Sequence, residues 1–440
     1  MTNMADAAPA SGQVQPPART SIRGLLAQTE IDLRLFGMLV VLAGILVTFH
    51  VLSGGTFFRP TNMVTLAVQA SGVAIIATGM VMVIVSRNID LSVGSVVGFI
   101  AMTYALLMTD WLPHLLGMGD DFPFRWAIAL GIGVLLGAAI GGLQGYIIAY
   151  IKVPSFIVTL GGLLTIRGLV WYLSSGAAVS GLDTNFQLLG GGAEGSIGGT
   201  LTWALGVVGC VAVVAILINS RRQRRRFGFA LRPVWAEVML GIVGIVAMLG
   251  LAAFANNNFW PKSLADKYAA DNGIPIPEGG LLIPTGFPNP IILLIGVTVV
   301  MAFLATRRRF GRYVYAYGGN PDAAELAGIN TRWTILKTYV LMGVLCALAA
   351  AIAAARLNGA TLDIGQSYEL YVIAAAVVGG TSFAGGIGTI PGAVLGAFVM
   401  QSLAYGLSFM GVNSPGQNVV AGIVLVVAVG FDSFNRRRGS

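Results

Sequence analysis

Apolar runs of membrane-crossing length alternate with short polar breaks along almost the whole chain. Stretches such as Leu35–Leu52, Met63–Val85 and Trp126–Tyr150 hold few charges and are each long enough for a helix to cross roughly 30 Å of hydrocarbon. The pattern predicts helices near 35–53, 63–86, 91–109, 126–150, 155–175, 201–219, 234–254, 290–306, 334–355, 369–383, 389–410 and 417–431. Gly- and Pro-containing segments are expected to bend or interrupt several of them. The expected fold is therefore an all-α integral membrane protein of about 12 transmembrane helices. Residues 1–30, rich in Ala, Pro, Ser and Gln, fit a disordered cytoplasmic tail, which leaves 31–440 as one transmembrane domain. The first apolar run starts late and lacks a following Ala-x-Ala site, so a cleaved leader is not expected.

Composition strengthens this picture: hydrophobic residues make up 56% of the chain and charged residues only 10%, with a mean hydropathy of +0.82. A water-soluble domain carries about 25% charge. The 60 glycines suit close helix packing in a bilayer, where small residues let backbones approach. The net charge of +8 raises nucleic-acid binding, but the basic residues sit in short breaks between apolar runs, where topology explains them better. With the N-terminus inside, 20 of the 26 Lys and Arg residues fall on the inner side. Arg59, Arg125, Lys262, Lys267 and Arg356 fall outside and Arg167 lies within a span. That balance requires an even number of spans and two cytoplasmic termini.

No outer loop reaches the size of a domain, and no GxxxxGK[ST] phosphate loop occurs in the chain. Cys210 and Cys346 lie in apolar runs without a CxxC partner, which suits packing. His50 and His114 have no further ligand at metal-binding spacing, so neither a metal site nor a catalytic constellation is expected. The most informative break is the inner segment 307–333. There Pro321 follows Asn320, and a turn of helix through Asp322, Ala323, Ala324, Glu325, Leu326 and Ala327 can be capped by Asn320 before it stops at Gly328. Such an element either positions the flanking spans or offers small faces that a partner grips.

That segment resembles the coupling loop of the ribose/xylose type of ABC importer permease: Phe310-Gly311-Arg312, Gly318-Gly319-Asn320-Pro321 and Ala324-Glu325-Leu326-Ala327-Gly328 carry the likeness. Three more blocks extend it in family order, at Gly79–Ser95 (through Arg87-Asn88-Ile89-Asp90-Leu91-Ser92), Pro154–Gly162 and Gly379–Gly386. The chain is most similar to the xylose-transport branch, which shares its length and a closing pattern like Phe431-Asp432-Ser433-Phe434-Asn435. The basic hairpin near 201–254 matches the two spans by which this branch exceeds the ribose type. Tyr371 departs from the pattern, because an acidic residue is expected there. The resemblance implies a permease that carries a monosaccharide inward through the bacterial inner membrane. It also implies a homodimer, a separate ATPase subunit that binds ATP and Mg, and a periplasmic sugar-binding protein.

Polar groups in the spans are candidates for the path. Asn88, Asp90 and Ser92 open a Ser- and Gly-rich helix, where Asn88 or Asp90 caps the helix or touches a passing solute. Thr159, Thr381 and Ser382, with Gln69, Gln144 and Gln401, present hydroxyls or amides that suit a neutral sugar or link helices. Arg167, about 18 Å into its span, calls for a buried partner. An ion-driven carrier would be expected to hold intramembrane carboxylates or histidines, and this chain has few.

Overall fold

The computed structural model describes residues 32–119 and 122–437; the predicted tail over 1–30 lies outside them. Ten helices among the described residues are long and apolar enough to cross a membrane, and two more apolar helices are shorter. The sides are named here by the lysine and arginine distribution. α1 (Leu33–Leu52), which packs on the helix Ile390–Phe409, precedes α2 (Pro60–Val85). α3 (Val93–Leu106) continues through a π turn at Leu107–Trp111 into α4 (Leu112–Leu116), well beyond the predicted end at 109. α5 (Arg125–Tyr146) ends in a second π turn, Ile147–Ile151, and α6 (Ser155–Ser174) returns outward.

The outer loops hold more structure than their polarity suggested. β1 (Val179–Ser180) pairs antiparallel with β2 (Gly359–Ala360), and a single helical turn, α7 (Thr184–Gln187), follows β1. α10 (Lys262–Asp271) lies inside the break between the helices predicted at 234–254 and 290–306. The basic hairpin is α8 (Gly198–Arg226) and α9 (Val234–Asn256). These two helices pack on each other, and Arg221 pairs with Glu237 at 2.6 Å near their inner end. Their outer ends join the bundle through bonds from Ile197 N to Phe287 O and from Gly198 N to Thr285 O.

α11 (Asn289–Arg307), α12 (Arg309–Gly319), α13 (Pro321–Leu326) and α14 (Thr331–Leu357) come next, then α15 (Tyr368–Val378), α16 (Ile390–Phe409) and α17 (Ser414–Arg437). The span predicted at 369–383 is corrected here. α15 has 11 residues, which at 1.5 Å each is about 17 Å and too short to cross roughly 30 Å. The segment leading to it, 362–367, is a run of turns in which Ile364 N donates to Thr361 O and Gln366 N to Asp363 O. Hydropathy alone cannot separate a full span from a half-helix joined to buried coil.

α2 is the central helix, with 94% of its most apolar window buried, as an all-round apolar sequence requires. α14 lies against α2, α3 and α5. Along α5, Gly137, Gly141 and Gly145 recur every four residues and form the seam with α14. A Cβ at Gly141 would collide with the Tyr339 carbonyl, and one at Gly343 with the Gly137 carbonyl, so this contact is backbone against backbone.

Candidate functional site at the arginine-rich face

α2 ends in a Schellman motif, with Arg87 N donating to Ile84 O at 2.9 Å and Asn88 N to Val83 O at 3.1 Å. Arg87 occupies the left-handed position with φ of +58°, where glycine is usual. Its side chain shows what the arginine adds. Nε donates to Gly318 O at 2.7 Å and Nη2 to Gly319 O at 2.8 Å, tying the end of α2 to the end of α12. The loop 379–389 completes the clasp: Gly386 N donates to Val85 O at 3.0 Å and the Tyr315 hydroxyl to Gly388 O at 2.7 Å. Gly318 is needed here, because a Cβ would enter the Val85 carbonyl. Burial pushes the Tyr315 and Tyr317 hydroxyls above their ordinary range.

Directly attached to this clasp is α13. The Asn320 side chain accepts from Ala323 N at 3.0 Å, Pro321 takes the first helical position, and Gly328 follows with φ of +79°. The helix expected over 322–327 thus begins and ends one residue earlier. Ala324 is buried, while Asp322, Ala323, Glu325, Ala327 and Gly328 are exposed. Leu326 is 90% exposed, which leaves an apolar side chain projecting from a braced helix on the arginine-rich side.

The candidate path residues fall in two buried groups. Gln144 Nε2 donates to Ser92 Oγ at 2.9 Å, and Ser92 Oγ donates to Asp90 Oδ1 at 2.7 Å. Asp90 also accepts from Ser92 N at 2.9 Å, which closes the first turn leading into α3. Asn88 Nδ2 donates to Ser86 O at 2.8 Å. Thr159 Oγ1 lies 2.9 Å from Ser155 O and 3.3 Å from Ile89 O, and the Tyr339 hydroxyl also reaches Ile89 O. Thr381 and Ser382 are buried in the loop 379–389, where Ser382 Oγ accepts from Ala384 N at 3.1 Å and Thr381 Oγ1 has no hydrogen-bond partner among the described residues. All four blocks of the sequence therefore meet around the end of α2. None of these six residues lines the outer cavities near Arg356.

Arg167 finds its partners in backbone. Nη1 donates to Leu362 O at 3.0 Å and Ile364 O at 3.1 Å, with Glu369 and Asp363 close enough to act electrostatically. Irregular backbone at membrane depth survives only where such donors satisfy it. Gly365 packs against Gly94, and a Cβ on either would strike the other's carbonyl. The first turn of α3 is thereby seated on the turns that lead into α15. Sequence reasoning missed the clasp role of Arg87; the available signal was an arginine placed where a helix stop favours glycine.

A bundle of apolar helices around a buried α2, with interrupted helices inside and a braced, exposed helix on the arginine-rich face, defines a multi-pass membrane protein of permease type. The family described as branched-chain amino acid transport system / permease component matches residues 62–234 and 173–429, and the chain belongs to it. It is 33% identical over 435 residues to the xylose transport system permease protein of Escherichia coli (strain K12), covering 99% of this chain and 100% of that one. The galactose/methyl galactoside import permease protein of the same organism is 29% identical over 91% of this chain and 95% of its own. Its ribose import permease protein is 30% identical over 86% and 87%. No solved structure matches the chain.

Proposed function

We propose that this chain is the membrane-spanning subunit of an ATP-driven importer of a monosaccharide, of the xylose type, in the bacterial inner membrane. The observation that carries this reading is end-to-end likeness, 33% over 99% of the chain, to a xylose permease. In the proposed assembly two copies stand side by side and a periplasmic binding protein delivers sugar to the outer face. A separate ATPase subunit, holding ATP and Mg, grips the inner face. The permease forms and breaks no covalent bonds.

Asn320–Gly328 is the proposed grip. The exposed Leu326 suits an apolar groove on the ATPase, and Ala324 keeps the helix seated on its neighbours. Movement of α13 passes through α12 to Arg87 and the loop 379–389, and so to the ends of α2 and α16. The buried groups around Asp90 and Thr381 would move as part of that frame. The test is Leu326→Asp in cells carrying the binding protein and ATPase. D-xylose uptake and co-purification of the ATPase should both fall about tenfold or more, with the permease still in the membrane. Uptake at the wild-type rate would refute the assigned grip.

A further inference from the structure

The outer side of the chain holds three adjoining cavities. An outermost one of about 560 Å³ lies between the start of α2, the loop after α7 and the segment before α10. Val68 and Arg356 form its wall with a deeper cavity of about 330 Å³. Tyr371 and Gln417 in turn join that one to a third, of about 440 Å³, beside Asp363 and Gln366.

The deeper cavity is polar at a depth where polarity is costly. Gln69 lies nine residues from the outer end of α2 and Gln401 eight from the outer end of α16, which places both about 12–14 Å down. Gln401 Nε2 donates to Gln69 Oε1 at 3.2 Å across the two helices. That bond uses one donor and one acceptor of the pair, and the Gln69 amide N–H groups and Gln401 Oε1 make no other protein hydrogen bond among the described residues. Arg356, exposed at the wall between the first two cavities, makes no ion pair among the described residues. Tyr371 adds a half-buried ring and a hydroxyl.

We propose that this cavity is a transit site for one neutral monosaccharide, which deepens the importer reading and rests on it. Paired amides and a guanidinium offer mixed donors and acceptors to vicinal hydroxyls, and a tyrosine ring packs against the C–H face of a sugar ring. A volume of about 330 Å³ is at the small end of the ~300–1,000 Å³ range of ligand pockets, which suits a single sugar unit. Tyr371 is the specificity-determining position, since it borders two of the cavities.

The test uses the full chain in liposomes with no partner present, carrying Ser414→Cys in the lining of the same cavity, with Tyr371 kept, and Cys210→Ser; Cys346 is buried and stays. An impermeant methanethiosulfonate reagent labels the new thiol from outside. D-xylose at ten times its dissociation constant should slow labelling about tenfold. Labelling that no neutral sugar slows, or that D-gluconate slows in their place, overturns the proposal. As a second measurement, Gln401→Ala in the complete importer should lower D-xylose uptake about five- to tenfold with ATPase co-purification unchanged; wild-type uptake overturns the site. Labelling needs neither ATP nor import. A chain protected by sugar but unable to import it upholds the site and sinks the importer reading, and import without protection does the reverse.

Discussion

Removing the Arg87 side chain tests the clasp directly. Arg87→Ala deletes bonds of 2.7 and 2.8 Å to the Gly318 and Gly319 carbonyls and leaves the backbone at φ of +58°. A charge-assisted hydrogen bond is worth about 1.5–3 kcal/mol. The residue is exposed and water replaces part of that, so the pair together contributes about 2 kcal/mol to holding α12 against α2. By the ~1.4 kcal/mol per tenfold rule this is about a thirtyfold shift in the clasped population. Arg87→Gly separates side chain from backbone. Glycine removes the left-handed strain, worth roughly 1 kcal/mol, yet supplies no guanidinium. In the assembled importer, both variants should show D-xylose uptake about tenfold or more below wild type while ATP hydrolysis continues, the signature of lost coupling. Arg87→Gly should melt no lower than Arg87→Ala. If Arg87→Gly imports at the wild-type rate, the arginine is only a helix stop and the clasp reasoning fails.

Three further outcomes follow from packing and charge. Gly141→Leu should lower the melting temperature of the purified chain sharply, since the new side chain meets the Tyr339 backbone and overpacking costs about 1–3 kcal/mol or more; an unchanged melt would contradict the backbone-to-backbone seam. Arg167→Ala should destabilise by about 2–4 kcal/mol by stranding the Leu362 and Ile364 carbonyls. Hydrogen exchange across 361–367 should then rise first, whereas uniform exchange would place the arginine's role elsewhere. Arg125 and Asp183, 3.4 Å apart with side chains 7% exposed, form a buried pair whose single truncations should each cost about 3–5 kcal/mol. The double variant Arg125→Met with Asp183→Leu should recover much of that loss in the same melting assay, and additive losses would show that the two charges do not support each other.

Most span positions and the short helix at α13 were legible in the amino-acid order, because each depends on a local or averaged property. Hydropathy over some twenty residues reports the surrounding medium, and the Asn320 cap is a bond to the third residue along. The clasp was not legible, since Arg87 and Gly318 are 231 positions apart and the inner-side preference of arginine accounted for Arg87 alone. The same holds for Arg167, whose need for a partner followed from its depth while the partner proved to be backbone carbonyls 195 and 197 positions away. The short α15 was hidden because an apolar half-helix and a full span share one composition. Gln69 and Gln401 each looked like a helix link or a path residue, and packing shows one bond between them and free amide atoms at an open cavity. Tertiary structure decided these points because a polar atom in a low-dielectric interior takes whatever partner folding brings within about 3 Å, at any distance along the chain.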